Sequence, residues 1–151
     1  MAKGFLIRAA VREDGALLAN VAGAIAGEVG VPFVVGRDDV PLRDPQAGYR
    51  ARGGECWVVV MRDTIVGSLG VIRDADGALR LTHWFLAADL RGLGMGGLLL
   101  EEAFRFARTA GVPALRAAFL PVCRTAQAVL KVRGFHPEDA ASENLCYEFS
   151  A

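Results

Sequence analysis

A short stretch of glycines beside an arginine is the part of this sequence that points most directly to chemistry. An apolar run leads into it and an amphipathic run leaves it, which predicts a strand, a glycine turn and a helix. A helix N-terminus presents unpaired N–H groups and partial positive charge, and glycine lets the backbone approach a bound group closely. The stretch therefore predicts a pyrophosphate site, to which Arg91 adds a full charge. This glycine turn consists of Arg91, Gly92, Leu93, Gly94, Met95, Gly96 and Gly97.

The same glycines also fit the G-x-G-x-x-G pattern of dinucleotide-binding folds, starting at Gly92. That pattern should open a βαβ unit and be followed about 20 residues later by an acidic residue. Three predicted antiparallel strands precede it here, and residues 103–137 contain no Asp or Glu. Arg116 or Arg124 could serve a phosphorylated ribose, so an NADP-type site stays open. A P-loop is excluded because no Gly-Lys-Ser/Thr follows.

Length and composition indicate one domain, residues 1–151, with an ample core, since 53% of the chain is hydrophobic. The 17 basic and 17 acidic residues balance, so neither nucleic acid nor an anionic membrane is expected as a partner. The three cysteines show no C-x-x-C spacing, so we expect neither a disulfide framework nor a metal site. No stretch is long and apolar enough for a signal peptide or a membrane span, which favours a cytoplasmic location.

The remaining chain alternates between strand and helix patterns. We predict an α+β fold with a mixed sheet and helices on its faces. The helix after the glycine turn should end at Gly111, before Pro113. Residues 30–54 are expected to be largely irregular, with one short helix. The predicted strands are 4–9, 56–61, 65–72, 79–86, 114–120 and 145–149, with an edge after the turn at 134–135, and the longer helices are about 13–28, 94–110 and 122–133.

A third pattern, R-x-x-G-x-G, fits Arg91, Gly94 and Gly96. With it, the chain resembles the GNAT superfamily of acyl-CoA-dependent N-acetyltransferases. Residues 126–135, AQAVLKVRGF, are similar to a second family signature that ends in Gly-Phe, and the opening IRAAVRED is similar to the family's first strand and helix. The resemblance implies a GNAT-type mixed, mostly antiparallel central sheet with helices on both faces.

The resemblance also assigns a cofactor to the glycine turn. In the family, the turn's amides hold the pyrophosphate of CoA, which implies that residues 91–97 bind acetyl-CoA here. The strand before the turn splays from its neighbour, so Phe85 and Leu86 would offer backbone groups to the pantetheine arm and the thioester carbonyl. Polarising that carbonyl is what attack by an amine requires.

Two positions depart from the family pattern. The tyrosine that can protonate the leaving thiolate is replaced by Leu130, which has no proton to donate. The asparagine often found seven residues earlier is replaced by Cys123, and a thiol is a weak substitute for an amide in hydrogen bonding. A thiol pKa near ~8.5 still makes the CoA thiolate a tolerable leaving group.

The general base is not fixed by the family pattern either. Residues 79–86 contain no carboxylate, so His83 is the candidate catalytic residue, with a pKa suited to taking a proton from an amine. His136 is expected at the surface. The other candidates that the sequence leaves open are Glu28 and Glu55 as bases and Tyr49 and Tyr147 as proton donors.

The resemblance implies an N-acetyltransferase that moves an acetyl group directly from acetyl-CoA to a primary amine of a small molecule or a protein. Two regions, Val29 to Arg52 and Phe135 to Asn144, would line the acceptor groove, and their mixed charges leave the acceptor open. Two alternatives remain: a non-catalytic acyl-CoA-binding sensor or regulatory module, suggested by Leu130 and Cys123, and a nicotinamide-dependent oxidoreductase. A homodimer is compatible with exposed sheet edges.

Overall fold

A computed structural model describes residues 4–30, 33–34, 36–38, 40–117, 124–138 and 144–149, with the backbone alone at Val29, Arg124 and Thr125. Single 3-10 turns lie at Arg12–Asp14 and Ala88–Leu90. The strands are β1 (Phe5–Ala9), β2 (Glu55–Met61), β3 (Thr64–Arg73), β4 (Leu79–Leu86), β5 (Ala114–Ala117), β6 (His136–Pro137) and β7 (Leu145–Glu148). The helices are α1 (Gly15–Val29), α2 (Val40–Arg43), α3 (Pro45–Arg50), α4 (Met95–Ala110) and α5 (Arg124–Val132).

Within the described residues the strands form one seven-stranded sheet, in the order β1-β2-β3-β4-β5-β7-β6. Strands β1 to β4 pair antiparallel with their neighbours, as do β5 with β7 and β7 with β6. Strands β4 and β5 pair in parallel, because α4 carries the chain back across the sheet between them. The predicted mixed, mostly antiparallel α+β fold is confirmed.

The two faces of the sheet are covered by different helices. Leu18 of α1, Leu42 of α2 and Tyr49 of α3 are fully buried in a cluster with Val58 of β2. On the other face a larger cluster joins the strands to α4 and α5. This arrangement follows from the alternation of side chains along each strand, which sends β2 residues to opposite faces in turn.

Helix α4 packs on the sheet through a stripe of apolar residues with helical spacing, which buries Met95, Leu99, Leu100, Ala103, Phe104 and Ala107. The helix ends as predicted at Gly111, which adopts a left-handed conformation with a φ of +69°. The amide of Val112 donates to the carbonyl of Ala107 at 3.2 Å and closes the last turn. The helix that follows the glycine turn is therefore firmly anchored on the core.

The prediction for residues 30–54 was partly wrong, because this segment contains two short helices. Helix α3 matches the predicted one, and its start is set by the Asp44 side chain, which accepts from the Ala47 amide at 3.1 Å. Helix α2 was missed because a single turn has too little periodicity to show in the sequence. It forms because Leu42 is fully buried against the sheet.

Other boundaries moved by a few residues. The final strand ends at Glu148, one residue before the predicted end, and the predicted edge is the short strand β6. Residues 118–120 of the predicted fifth strand and 122–123 of the predicted last helix lie outside the described residues. In the described part of the chain, no helix is both long and apolar enough to cross a membrane.

Candidate active site

The glycine turn links β4 to α4, as predicted, and two of its glycines are required by the backbone. Gly92 and Gly94 have φ angles of +82° and +83°, in the left-handed region that residues with a Cβ avoid. A Cβ at either position would meet no atom within 4 Å, so the requirement is conformational and not one of space. The turn therefore opens onto solvent with its backbone in a shape that only glycine adopts readily.

The first turn of α4 has free hydrogen-bonding capacity for an anion. Its first internal bond runs from the Leu98 amide to the Gly94 carbonyl at 3.1 Å, so the helix supplies no partner for the amides of Met95, Gly96 and Gly97. Gly94 provides no side-chain cap, and the first turn holds no acidic residue. The residues present thus fit a diphosphate: they offer donors that the helix leaves without a partner, and the positive end of a 16-residue helix whose first turn has no carboxylate.

A second arginine, which was not predicted from the sequence, lies beside this turn. The Nη2 atom of Arg133 lies 2.8 Å from where a Cβ on Gly97 would stand, and Arg133 forms an ion pair with Glu101. Its position immediately before the Gly-Phe of the second signature was the available signal. Gly96 is packed differently, since its missing Cβ would lie 3.4 Å from the ring of Trp84.

The side chain of Arg91 folds back onto the end of β4. Its Nε and Nη2 atoms donate to the backbone carbonyl of Leu86 at 3.1 and 2.9 Å, and Nη2 lies 3.9 Å from Glu28 of α1. The predicted positive charge is therefore at the mouth of the turn. In this conformation it is bound to the backbone group of Leu86.

Strand β4 continues beyond its pairing with β5. The parallel ladder covers Leu79 with Leu115 and Arg80 with Arg116, whereas β4 runs on to Leu86. The described part of β5 ends at Ala117, so the later half of β4 has no described partner on that side. As far as the described residues go, the edge of β4 beyond Arg80 is free on that side, which suits an extended ligand.

Of the two residues predicted to offer backbone groups to that ligand, Leu86 faces the open edge. The Ala87 amide donates to Val66 of β3 at 2.8 Å, and because successive residues of a strand point to opposite sides, the N–H and C=O of Leu86 point away from β3. The carbonyl of Phe85 points toward β3, 2.9 Å from where a Cβ on Gly67 would lie. A ligand beside β4 would therefore meet the backbone N–H and C=O of Leu86. The carbonyl of Phe85 would be on the other side of the strand, facing β3.

A β-bulge at His83 shapes this part of β4. Ser68 pairs with Phe85 and Gly70 with Thr82, so two residues of β4 oppose one of β3. His83 takes a φ of +49°, which is unusual for a residue with a side chain. Its carbonyl accepts from the fully buried hydroxyl of Ser68 at 2.6 Å, and this bond holds the bulge in place.

Both ring nitrogens of His83 have hydrogen-bond partners. Nε2 lies 2.8 Å from the carbonyl oxygen of Asp38, which can only accept, so Nε2 carries the proton. In the neutral ring Nδ1 then accepts from the hydroxyl of Tyr49 at 2.5 Å, and the Tyr49 oxygen accepts from Thr82 at 2.8 Å. His83 thereby ties the segment between α1 and α2 to the bulge of β4.

Burial, the dominant influence, lowers the pKa of His83 below its ordinary value, while the charge of Asp38 acts in the opposite direction. The ring is therefore neutral at physiological pH. Taking a proton from a substrate at Nδ1 would require the amine to displace the Tyr49 hydroxyl. The catalytic role of His83 stays a prediction, and these bonds favour a positioning role for the same residue.

The lowered pKa of His83 predicts acid sensitivity of the fold. The unfolded chain binds a proton at this residue near pH ~6.5, whereas the folded protein resists it, so the free energy of unfolding should fall as the pH drops below about 6.5. Urea denaturation across this range should show a smaller fall in His83→Gln, which does not titrate. An equal fall in both proteins would contradict the assignment. The lowered pKa of Asp14 acts in a more acidic window and is common to both proteins.

The other residues considered as acids or bases, and the two positions that depart from the family pattern, have the following surroundings. Tyr49 is fully buried, and burial raises the pKa of its hydroxyl, so it serves as a hydrogen-bond partner of His83 more readily than as an acid. Leu130, at the family's tyrosine position, is fully buried in the core. Glu55, a candidate base, accepts from the Cys56 amide at 3.1 Å at the start of β2. Cys123 lies outside the described residues.

Two further candidates are accounted for by packing or exposure. Tyr147 lies in an aromatic cluster, its ring centroid 4.9 Å from that of Phe104. His136 is exposed at the sheet edge, as predicted, 3.6 Å from Glu148. Among the described residues, no group of three or more His, Cys, Asp or Glu side chains is arranged to hold a metal ion.

Arg116, considered for a phosphorylated ribose, lies far along β4 from the glycine turn. It pairs with β4 at Arg80 and borders a 370 Å³ pocket on the β5-β7-β6 part of the sheet. Its guanidinium already contacts Asp74 at 3.4 Å and Glu138 at 3.8 Å, and it forms a further ion pair with Asp76. Its position and these carboxylates do not suit a role in binding a nucleotide phosphate at the turn.

The sequence of this chain matches a known protein family. The family model described as the acetyltransferase (GNAT) family matches residues 9–135. The chain belongs to the GNAT acetyltransferase family. This membership removes the dinucleotide-fold alternative, and no protein of curated function matches the sequence.

Solved GNAT structures share the whole fold at low sequence identity. An acetyltransferase of the GNAT family from Staphylococcus aureus Mu50 is 20% identical with a TM-score of 0.83, covering 97% of this chain and 99% of that one. PaiA N-acetyltransferase from Thermoplasma acidophilum, solved with coenzyme A, is 16% identical with a TM-score of 0.72, covering 99% and 100%. A predicted acetyltransferase from Clostridium acetobutylicum, solved with acetyl-CoA, is 15% identical with a TM-score of 0.73, covering 92% and 94%.

Proposed function

We propose that this GNAT protein is an N-acetyltransferase that binds acetyl-CoA and transfers its acetyl group directly to a primary amine. The observation that carries the proposal is the first turn of α4, where the amides of Met95, Gly96 and Gly97 lack helical partners beside the left-handed Gly94. Such a turn at the end of an open strand edge suits a diphosphate joined to an extended arm. The two GNAT structures solved with CoA or acetyl-CoA support the choice of cofactor.

The residues of β4 would orient the arm. The N–H and C=O of Leu86 face the open edge, where an extended ligand can pair with them as a further strand. The side chain of Trp84 lies beside Gly96 and forms part of the wall between the strand and the turn. Bound acetyl-CoA supplies an acetyl group already activated as a thioester.

The reaction needs two proton transfers: the acceptor amine loses a proton and the leaving thiolate gains one. An acceptor amine with a pKa around 10 must lose a proton before it attacks. Leu130 is fully buried and cannot protonate the leaving thiolate, so the family's tyrosine position supplies no acid here. His83 could take the proton of the amine only if its Nδ1 exchanged the Tyr49 hydroxyl for the amine, so the proposal gives His83 a positioning role.

A second candidate function is a non-catalytic acyl-CoA-binding module. The observations that favour it are the buried Leu130 and the full hydrogen bonding of His83, which leave the described site without a free acid or base. Such a module would keep the glycine turn and its cofactor. It would show binding without turnover.

Two measurements test these functions in sequence. Calorimetric titration of the purified protein with acetyl-CoA, and in parallel with NADP, should show binding of acetyl-CoA alone. A screen of amines, from small metabolites to peptide N-termini and lysines, should then show release of free thiol that depends on the amine. Binding without thiol release for any amine would favour the module, and a folded protein that binds no acetyl-CoA would refute the proposal.

A further inference from the structure

The guanidinium of Arg91 occupies the carbonyl oxygen of Leu86, which a ligand beside β4 would need as a hydrogen-bond acceptor. Two of its donors, Nε and Nη2, bind the carbonyl oxygen of Leu86 at 3.1 and 2.9 Å. A carbonyl oxygen has two lone pairs, and both are therefore in use. An amide N–H of a ligand could bind this oxygen only after Arg91 has moved away.

The Leu86 carbonyl faces the side of β4 on which the described residues provide no partner strand. The pairing of Ala87 with Val66 directs the N–H and C=O of Leu86 away from β3. A ligand that extends β4 as a further strand would donate an amide to that carbonyl. Arg91 and the arm of the ligand thus compete for one oxygen atom.

Arg91 is held at this carbonyl only loosely by other groups. Its contact with Glu28 is 3.9 Å long and both side chains are substantially exposed, so it contributes little. A guanidinium binds phosphate oxygens more strongly than a neutral carbonyl, because those bonds are charge-assisted and fit its planar fork. A diphosphate at the adjacent amides of α4 would draw Arg91 away from Leu86.

We propose that Arg91 is a specificity-determining residue that makes the cleft selective for pantetheine thioesters that carry a diphosphate. An arm without the diphosphate has to displace Arg91 from Leu86 without compensation, whereas CoA thioesters supply the compensating charge. This inference rests on the proposed binding of acetyl-CoA. It adds that Arg91 lowers the affinity for thioesters that lack the diphosphate of CoA.

The test compares acetyl-CoA with S-acetylpantetheine, which has the same thioester arm and no diphosphate. Wild type, Arg91→Ala, Arg91→Lys and Arg105→Ala are titrated with both compounds by calorimetry. Arg105 is the matched control, an exposed arginine of α4 that is paired with Glu102 within the same helix. Thermal unfolding confirms that each variant is folded.

Opposite changes are expected in Arg91→Ala. Its affinity for acetyl-CoA should fall about tenfold because a charge-assisted contact is lost, while its affinity for S-acetylpantetheine should rise about three- to tenfold because the carbonyl is free. Arg91→Lys should keep most of the affinity for acetyl-CoA and also gain affinity for S-acetylpantetheine, since an ammonium cannot reproduce the paired contact. Arg105→Ala should match wild type for both compounds.

The proposal is overturned if Arg91→Ala binds S-acetylpantetheine no better than wild type, including the case in which neither binds measurably. It is also overturned if Arg91→Ala binds acetyl-CoA as well as wild type. A folded wild type that fails to bind acetyl-CoA would instead refute the cofactor assignment, and that result is read from the wild-type titration alone.

Discussion

Gly94→Ala is expected to weaken acetyl-CoA binding by about ten- to a hundredfold, since a single charge-assisted hydrogen bond contributes about 1.5–3 kcal/mol. The φ of Gly94 is +83°, where a residue with a Cβ is strained by about 1–2 kcal/mol. The turn should relieve this strain by rotating, which moves the amides of Met95, Gly96 and Gly97 out of register with a diphosphate. Calorimetric titration with acetyl-CoA measures the effect directly.

Gly111→Ala is the matched control at the other end of the same helix. Gly111 has a φ of +69°, and a Cβ there meets no atom within 4 Å, as at Gly94. Both variants should therefore lose a similar amount of stability in thermal unfolding, and only Gly94→Ala should lose affinity. Equal affinities of the two variants would show that the amides of this turn do not hold the cofactor.

His83→Gln is expected to keep kcat within about tenfold of wild type, while a base that is removed usually costs about 10²–10⁴-fold. A glutamine offers one donor for the Asp38 carbonyl and one acceptor for the Tyr49 hydroxyl, as the neutral imidazole does, but it cannot take up a proton. Thiol release with an amine found in the screen supplies the assay.

His83→Ala completes this experiment because it removes both hydrogen bonds. If His83 positions the segment between α1 and α2, the alanine variant should raise the KM for the amine and leave the affinity for acetyl-CoA unchanged. If His83 is instead the catalytic base, His83→Gln and His83→Ala should lose kcat to the same degree. The acidic limb of the pH–rate profile should then vanish in both variants.

Prediction from the sequence succeeded where the cause is local. The strand-turn-helix unit around the glycine turn and the helix stop at Gly111 follow from the residue types of a few neighbouring positions. The apolar stripe of α4 follows from a periodicity that the chain repeats over four turns. Helix α2 was not predicted because a single helical turn is stabilised by the burial of Leu42 and not by the helix propensity of its residues.

The sequence by itself determined the family, the strand-turn-helix unit and the residues of the glycine turn, because these depend on residue types at fixed spacing. Only the tertiary structure decided the state of the polar groups around them. It placed Arg91 on the Leu86 carbonyl, Arg133 over Gly97, and His83 between Tyr49 and Asp38. Those contacts join residues up to 45 positions apart. Tertiary packing decides which hydrogen bonds form and how deeply His83 is buried, and that burial lowers its pKa. Neither leaves a pattern of residue types along the sequence.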